Sequence, residues 1–192
     1  MSRMLAAVDP ESGEKLDDEN MIFQMVTFLI AGHETTSATL SFAIEFLLHN
    51  PDVLKQAREV VDSVLGTETP RFEHLQHLKY IEQILMETLR LWPPAPAFTV
   101  RANKDTLLAG KYEVTSREDI IILIPSLHRD PKVWGDAPDK FDPDRFATEQ
   151  AEKLPPNAWK PFGNCARACI GRPFAMQEAQ LVLSMLLQRF DF

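Results

Sequence analysis

The feature that most constrains this chain is one long helix with apolar residues on every side. Asp17 or Asp18 can cap it, Glu19 adds a carboxylate to its first turn, and Asn50-Pro51 ends it near His49. Between those signals lie Met21, Ile22, Phe23, Met25, Val26, Phe28, Leu29 and Ile30, then Leu40, Phe42, Ile44, Phe46 and Leu47. A helix that is apolar all round must be covered all round. With 192 residues and this helix near the start, little material remains to surround it. The chain is therefore expected to be a piece of a larger domain.

Helices are expected at about 51–65, stopping at Gly66, and at about 73–91, stopping at Trp92-Pro93-Pro94. The periodicity changes at Ala95. Phe98-Thr99-Val100 and Ile120 to Ile124 read as strands, with a turn at Ala109-Gly110 between them. Residues 128–160 read as loop with short helical pieces and many prolines. A last helix is expected from Pro173 to Phe190, with Pro in its first turn. Residues 1–16 read as a leader and loop with a turn at Asp9-Pro10-Glu11-Ser12-Gly13. The fold class is thus mainly α with a small β-region within 97–125, in a single domain over 1–192.

Composition excludes several functions. Lys and Arg number 20 against 28 Asp and Glu, a net charge of -8, so a nucleic-acid partner is not expected. Two cysteines build neither a disulfide framework nor a four-cysteine zinc site. No glycine-rich nucleotide cradle occurs. No apolar run of membrane-spanning length and no secretory leader is visible, which makes a cytoplasmic location the expectation.

Three places could carry chemistry. Cys169 lies in Phe162-Gly163-Asn164-Cys165-Ala166-Arg167-Ala168-Cys169-Ile170-Gly171, before the last helix. A helix N-terminus and the nearby Arg167 both favour thiolate, a nucleophile or soft metal ligand. The competing reading is a small buried core residue. Ala31-Gly32-His33-Glu34-Thr35-Thr36 is odd company inside a buried helix. Gly32 weakens it by about 1 kcal/mol relative to Ala, and Thr hydroxyls can bond back to carbonyls and bend or open a turn. A zinc-protease reading of His33-Glu34 fails, because Ser37 stands where the second His is required. Glu87 and Arg90, three apart, share a helix face among apolar residues, with Arg145 of Phe141-Asp142-Pro143-Asp144-Arg145-Phe146 as a candidate third member.

In this order and spacing the motifs resemble the cytochrome P450 haem–thiolate monooxygenases. Thr27 to Thr36, Leu91-Trp92-Pro93 and Trp159 to Asn164 look closest to the self-sufficient branch, where a fatty-acid hydroxylase haem domain is fused to a diflavin reductase. The resemblance covers essentially all 192 residues and roughly the C-terminal half of the family's haem domain. It implies a partial haem domain, without the family's N-terminal half, final hairpin or reductase.

The resemblance implies Cys169 as the thiolate ligand of haem b iron, with Phe162 packed beside it. Arg167 would bind a haem propionate, and Arg101 is a weaker candidate for that role. Ala31 and Gly32 would lie over the distal face, where O2 binds. Thr35, with Glu34 and water, would relay protons to the distal oxygen. Ala95, Ala97 and Phe98 would line the channel for a small apolar substrate such as a fatty acid. Glu87, Arg90 and Arg145 would form a structural ion network. A fused or separate diflavin reductase would bring FAD, FMN and NADPH. The alternative is a truncated, non-catalytic product or a haem-binding remnant without turnover. The chain departs from the family at Cys165, where the loop usually has Gly. If the position requires positive φ, a Cys there costs about 1–2 kcal/mol.

Overall fold

The computed structural model describes residues 2–192; Met1, the first residue of the expected leader, lies outside the described residues. The leader is not all loop, since Ser2–Ala6 form a short helix, α1. Beyond it the Asp9 carboxylate accepts the N–H groups of Glu11 and Ser12, and Gly13 turns at φ 72°.

The long helix is continuous. α2 spans Asp18–His49, and the Asp17 side chain accepts the Asn20 N–H at its start. Neither Gly32 nor the hydroxyl groups that bond back to carbonyls one turn earlier interrupt it. Thr27 donates to Phe23, Thr35 to Ala31 and Thr39 to Thr35. Asn50 closes α2, and α3 follows at Pro51–Leu65.

The expected single helix over 73–91 is two pieces. Phe72–His77 form a 3-10 helix, and α4 runs Lys79–Leu91. Leu78 leaves helical geometry between them. Gln180, distant in sequence, donates its amide N–H groups to the Leu75 and Leu78 carbonyls, so tertiary bonds satisfy the backbone at the break.

The β-region is two antiparallel strand pairs. β1 (Ala97–Arg101) pairs antiparallel with β4 (Asp119–Leu123), Phe98 opposite Ile122. A second ladder, β2 (Thr106–Leu108) with β3 (Tyr112–Val114), flanks the Ala109-Gly110 turn. Both turn residues have positive φ. Ile124, expected in the strand, instead starts the short helix α5 (Ile124–Leu127). α6 (Pro131–Trp134), a 3-10 turn at Pro143–Phe146 and α7 (Thr148–Ala151) punctuate the loop-rich stretch. α8 runs Arg172–Arg189.

The main core lies where the second half of α2 meets α3, α4 and α8, around Ala43, Leu47, Val61, Ile81, Ile84 and Leu183. Trp134, Phe146 and Ala158 form a second cluster beneath the loops. The first half of α2 is not part of either. Ile22, Phe23, Val26, Phe28, Leu29 and Ile30 are exposed, Leu29 at 72%. Leu40, Ile44 and Phe46 are half-buried against the core, so the uncovered part of the apolar helix is its first half.

Candidate functional site

A fully buried, multiply hydrogen-bonded ion pair lies on α4. Arg90 donates through Nε and Nη2 to the two Glu87 carboxylate oxygens, at 2.6 and 2.8 Å. Both side chains are fully buried. The Asp142 N–H also reaches Glu87, at 2.9 Å, and Arg145 Nε lies 3.6 Å from it. Arg90 spends its other donors on the carbonyls of His128, Pro138 and Lys140. Arg145 bonds the carbonyls of Trp134 and Ala137. Burial pushes the Glu87 carboxyl up from its usual range, and Arg90, the Asp142 amide and Arg145 oppose that rise. The three residues form one bolt between α4 and the loop segment 128–146.

That bolt faces the cysteine loop through one residue the sequence did not single out. His128 is fully buried. Its Nε2 accepts the Lys160 N–H at 2.8 Å, so Nδ1 carries the proton and donates to the Arg90 carbonyl at 3.0 Å. A lone His after an apolar run has no periodic or motif signal to reveal it. Trp159 adds a second tether, its Nε1 donating to the Met86 carbonyl.

The loop itself is folded by backbone bonds. Gly163 turns at φ 72°, Asn164 caps a 3-10 turn at Cys165–Arg167, and Cys169 N–H donates to the Phe162 carbonyl at 2.8 Å. Cys165 has φ 55°, the left-handed conformation that penalises a side chain. Cys169 is exposed, not a core residue. It precedes α8 by three residues. A Cβ on Gly171 would stand 3.8 Å from its Sγ, so the sulfur rests against the helix N-cap. Among the described residues no hydrogen bond reaches Sγ.

Phe162 is half-buried, its ring edge-on to Trp159 at 6.1 Å. The Arg172 guanidinium lies over both rings, 5.4 and 5.7 Å from their centroids. Arg167 is exposed. Arg101 is exposed and paired across the β1–β4 ladder with Asp119 at 2.7 Å.

On α2, Ala31, Gly32, Glu34 and Thr35 are all exposed, and so is His33. A Cβ on Gly32 would meet nothing within 4 Å. Thr35 Oγ1 donates to the Ala31 carbonyl at 2.7 Å. Thr36 Oγ1 is buried without a partner. Ala95 and Ala97 are exposed and Phe98 is half-buried. Among the described residues no hydrogen bond or ion pair joins the α2 group to the cysteine loop; α2 and α8 are linked by packing further along both helices.

The donor set fits a haem. Among the described residues no three His, Cys, Asp or Glu side chains converge as metal ligands. A metal held by the exposed Cys169 thiol alone must bring its remaining ligands, as an iron porphyrin does. Ile170, 83% exposed, and Phe174, 67% exposed, follow Cys169 in the chain and offer apolar surface of the kind a porphyrin face covers.

A family model described as Cytochrome P450 matches residues 1–192. The chain is similar to a bifunctional cytochrome P450/NADPH–P450 reductase from Bacillus cereus, 58% identical over 192 residues, which are 100% of this chain and 18% of that protein. It is 54% identical over 190 residues to bifunctional cytochrome P450/NADPH–P450 reductase 1 from Bacillus subtilis, covering 99% of this chain and 18% of the relative. A self-sufficient cytochrome P450 monooxygenase from Oidiodendron maius is 49% identical over 191 residues, 100% of this chain and 18% of its own length. The chain thus spans under a fifth of the length of these curated relatives.

Proposed function

The chain belongs to the cytochrome P450 family, and on that footing we propose that it supplies the thiolate side and part of the oxygen-binding side of a haem monooxygenase. The observation that carries the reading is the exposed Cys169, set against the start of α8 by a backbone-bonded loop and lying outside both cores. When bound, the haem supplies an iron centre at which O2 is activated for insertion into a C–H bond.

The chain's own residues then divide the work. Cys169 ligates iron through its Sγ, which rests against the N-cap of α8. Phe162, held edge-on by Trp159 and covered by Arg172, restricts the loop beside the sulfur. Arg167 offers a guanidinium fork to a propionate. Ala31 and Gly32 present little side chain to the oxygen-binding face. Thr35 can turn its hydroxyl from the Ala31 carbonyl to a water, and Glu34 can pass it a proton.

The electron donor in this reading is a diflavin NADPH reductase, fused or separate. The similar bifunctional proteins, whose names join a P450 to an NADPH–P450 reductase, support it. The substrate is an apolar molecule, a fatty acid. The small exposed Ala95 and Ala97 beside the half-buried Phe98 support an apolar acyl chain over a polar molecule.

The test is product analysis on haem-loaded protein given NADPH, a diflavin reductase and a medium-chain fatty acid. Hydroxylated acid is the expected product. In Thr35→Ala, product formed per NADPH consumed should fall several-fold. NADPH consumption with no hydroxylated acid from the parent protein would defeat the substrate assignment. Unchanged coupling in Thr35→Ala would defeat the proton-relay role.

A further inference from the structure

The turns of the cysteine loop are local, but its entry is fastened elsewhere. Lys160 stands two residues before Phe162, whose carbonyl holds the Cys169 N–H. Its own N–H has one partner, the His128 ring. The carbonyl of Arg90 lies in the last turn of α4, where carbonyls lack intrahelical partners. It too is taken by the His128 ring. The attachment is reciprocal, since Arg90 Nη1 donates to the His128 carbonyl at 2.8 Å. The imidazole is therefore a two-ended connector with a direction: N–H toward α4, lone pair toward the loop.

We infer that His128 is a positioning residue for the thiolate loop, held as the Nδ1–H tautomer so that Nε2 fixes the Lys160 amide and with it the approach to Cys169. The inference rests on the proposal that Cys169 ligates haem iron. No other side-chain type supplies both ends at this spacing. A half-buried Lys160 N–H left without an acceptor would favour loop conformations that turn it to water. The Trp159–Met86 bond alone would then hold the entry. His128 touches neither haem nor substrate in this reading; it acts through Lys160.

Two replacements separate the ends of the connector. In His128→Gln the side-chain oxygen reaches about as far as Nε2 and can still accept from Lys160. In His128→Asn the amide reaches only the Nδ1 level, so it can serve the Arg90 carbonyl and leaves Lys160 unbonded. Three measurements on the haem-loaded protein follow. Nitrogen NMR of the parent protein at neutral pH should show His128 as the neutral Nδ1–H tautomer. Hydrogen exchange at the Lys160 amide should be about tenfold faster or more in His128→Asn and near parental in His128→Gln. The thiolate-type band of the reduced carbon monoxide complex should decay several-fold faster in His128→Asn and at close to the parental rate in His128→Gln.

The opposite tautomer or an imidazolium in the parent protein overturns the inference without any variant. Equal losses in both variants overturn it as well, because they mark His128 as core packing. So does a His128→Asn protein that matches the parent in exchange and band lifetime. A parent protein that shows the tautomer and the exchange pattern but no thiolate-type band refutes the Cys169 assignment instead, and the two failures are thereby distinguished.

Discussion

Arg90 grips Glu87 through two hydrogen bonds, at 2.6 and 2.8 Å, with no exposure of either side chain. Removing one member leaves the other charged and buried. Glu87→Ala should therefore lose about 3–5 kcal/mol, read from denaturant unfolding of the haem-loaded protein. An unchanged midpoint would mean that water or another group compensates Arg90, and the bolt would not be a stabilising element.

Burial pushes the His128 imidazole from 6.5 down to about 4, and the Arg90 and Arg129 charges add to the fall. The unfolded state thus binds a proton that the folded state refuses. The resulting stability is fully present above about 6.5 and is lost as pH falls toward about 4. The shift corresponds to about 3 kcal/mol. Unfolding free energy measured from pH 7 to pH 4 should slope down, and the slope should shrink in His128→Gln. Equal slopes in the two proteins would assign the acid sensitivity to other groups.

Cys165 occupies a left-handed position, φ 55°, where glycine carries no penalty. Cys165→Gly should stabilise the protein by about 1–2 kcal/mol, with a higher melting midpoint. A lower midpoint would show that the Cys165 side chain makes a contact worth more than its backbone strain.

The first half of α2 leaves Ile22, Phe23, Val26, Phe28, Leu29 and Ile30 in water. Covering them fully would recover on the order of 5–10 kcal/mol, comparable with the stability of a typical domain. Without haem, the 192 residues expressed alone should aggregate or bind a dye for exposed apolar surface, in contrast to the haem-loaded protein. A monomeric, cooperatively melting protein without dye binding would contradict that expectation.

Much of this was legible in the sequence because the signals were local. Asp17, Asn50-Pro51 and Gly66 mark helix ends that the structure keeps. Glu87 and Arg90 were readable as a buried pair from their spacing among apolar residues, whereas positive φ at Cys165 entered the reading only as a condition. What escaped depends on partners far along the chain. The break at Leu78 is satisfied by Gln180, and the role of His128 exists only where Arg90 and Lys160 meet it. The exposure of Cys169 likewise follows from how the loop seats on α8, since a free cysteine is otherwise most often buried.

The central claim is that Cys169, and not Cys165, is the thiolate that holds haem iron. The most direct measurement is the absorption spectrum of the reduced, carbon monoxide-bound protein in three forms: parent, Cys169→Ser and Cys165→Gly. The account expects the thiolate-type band in the parent, its loss in Cys169→Ser, and its retention at equal or greater intensity in Cys165→Gly. A band that survives Cys169→Ser and vanishes in Cys165→Gly would contradict it.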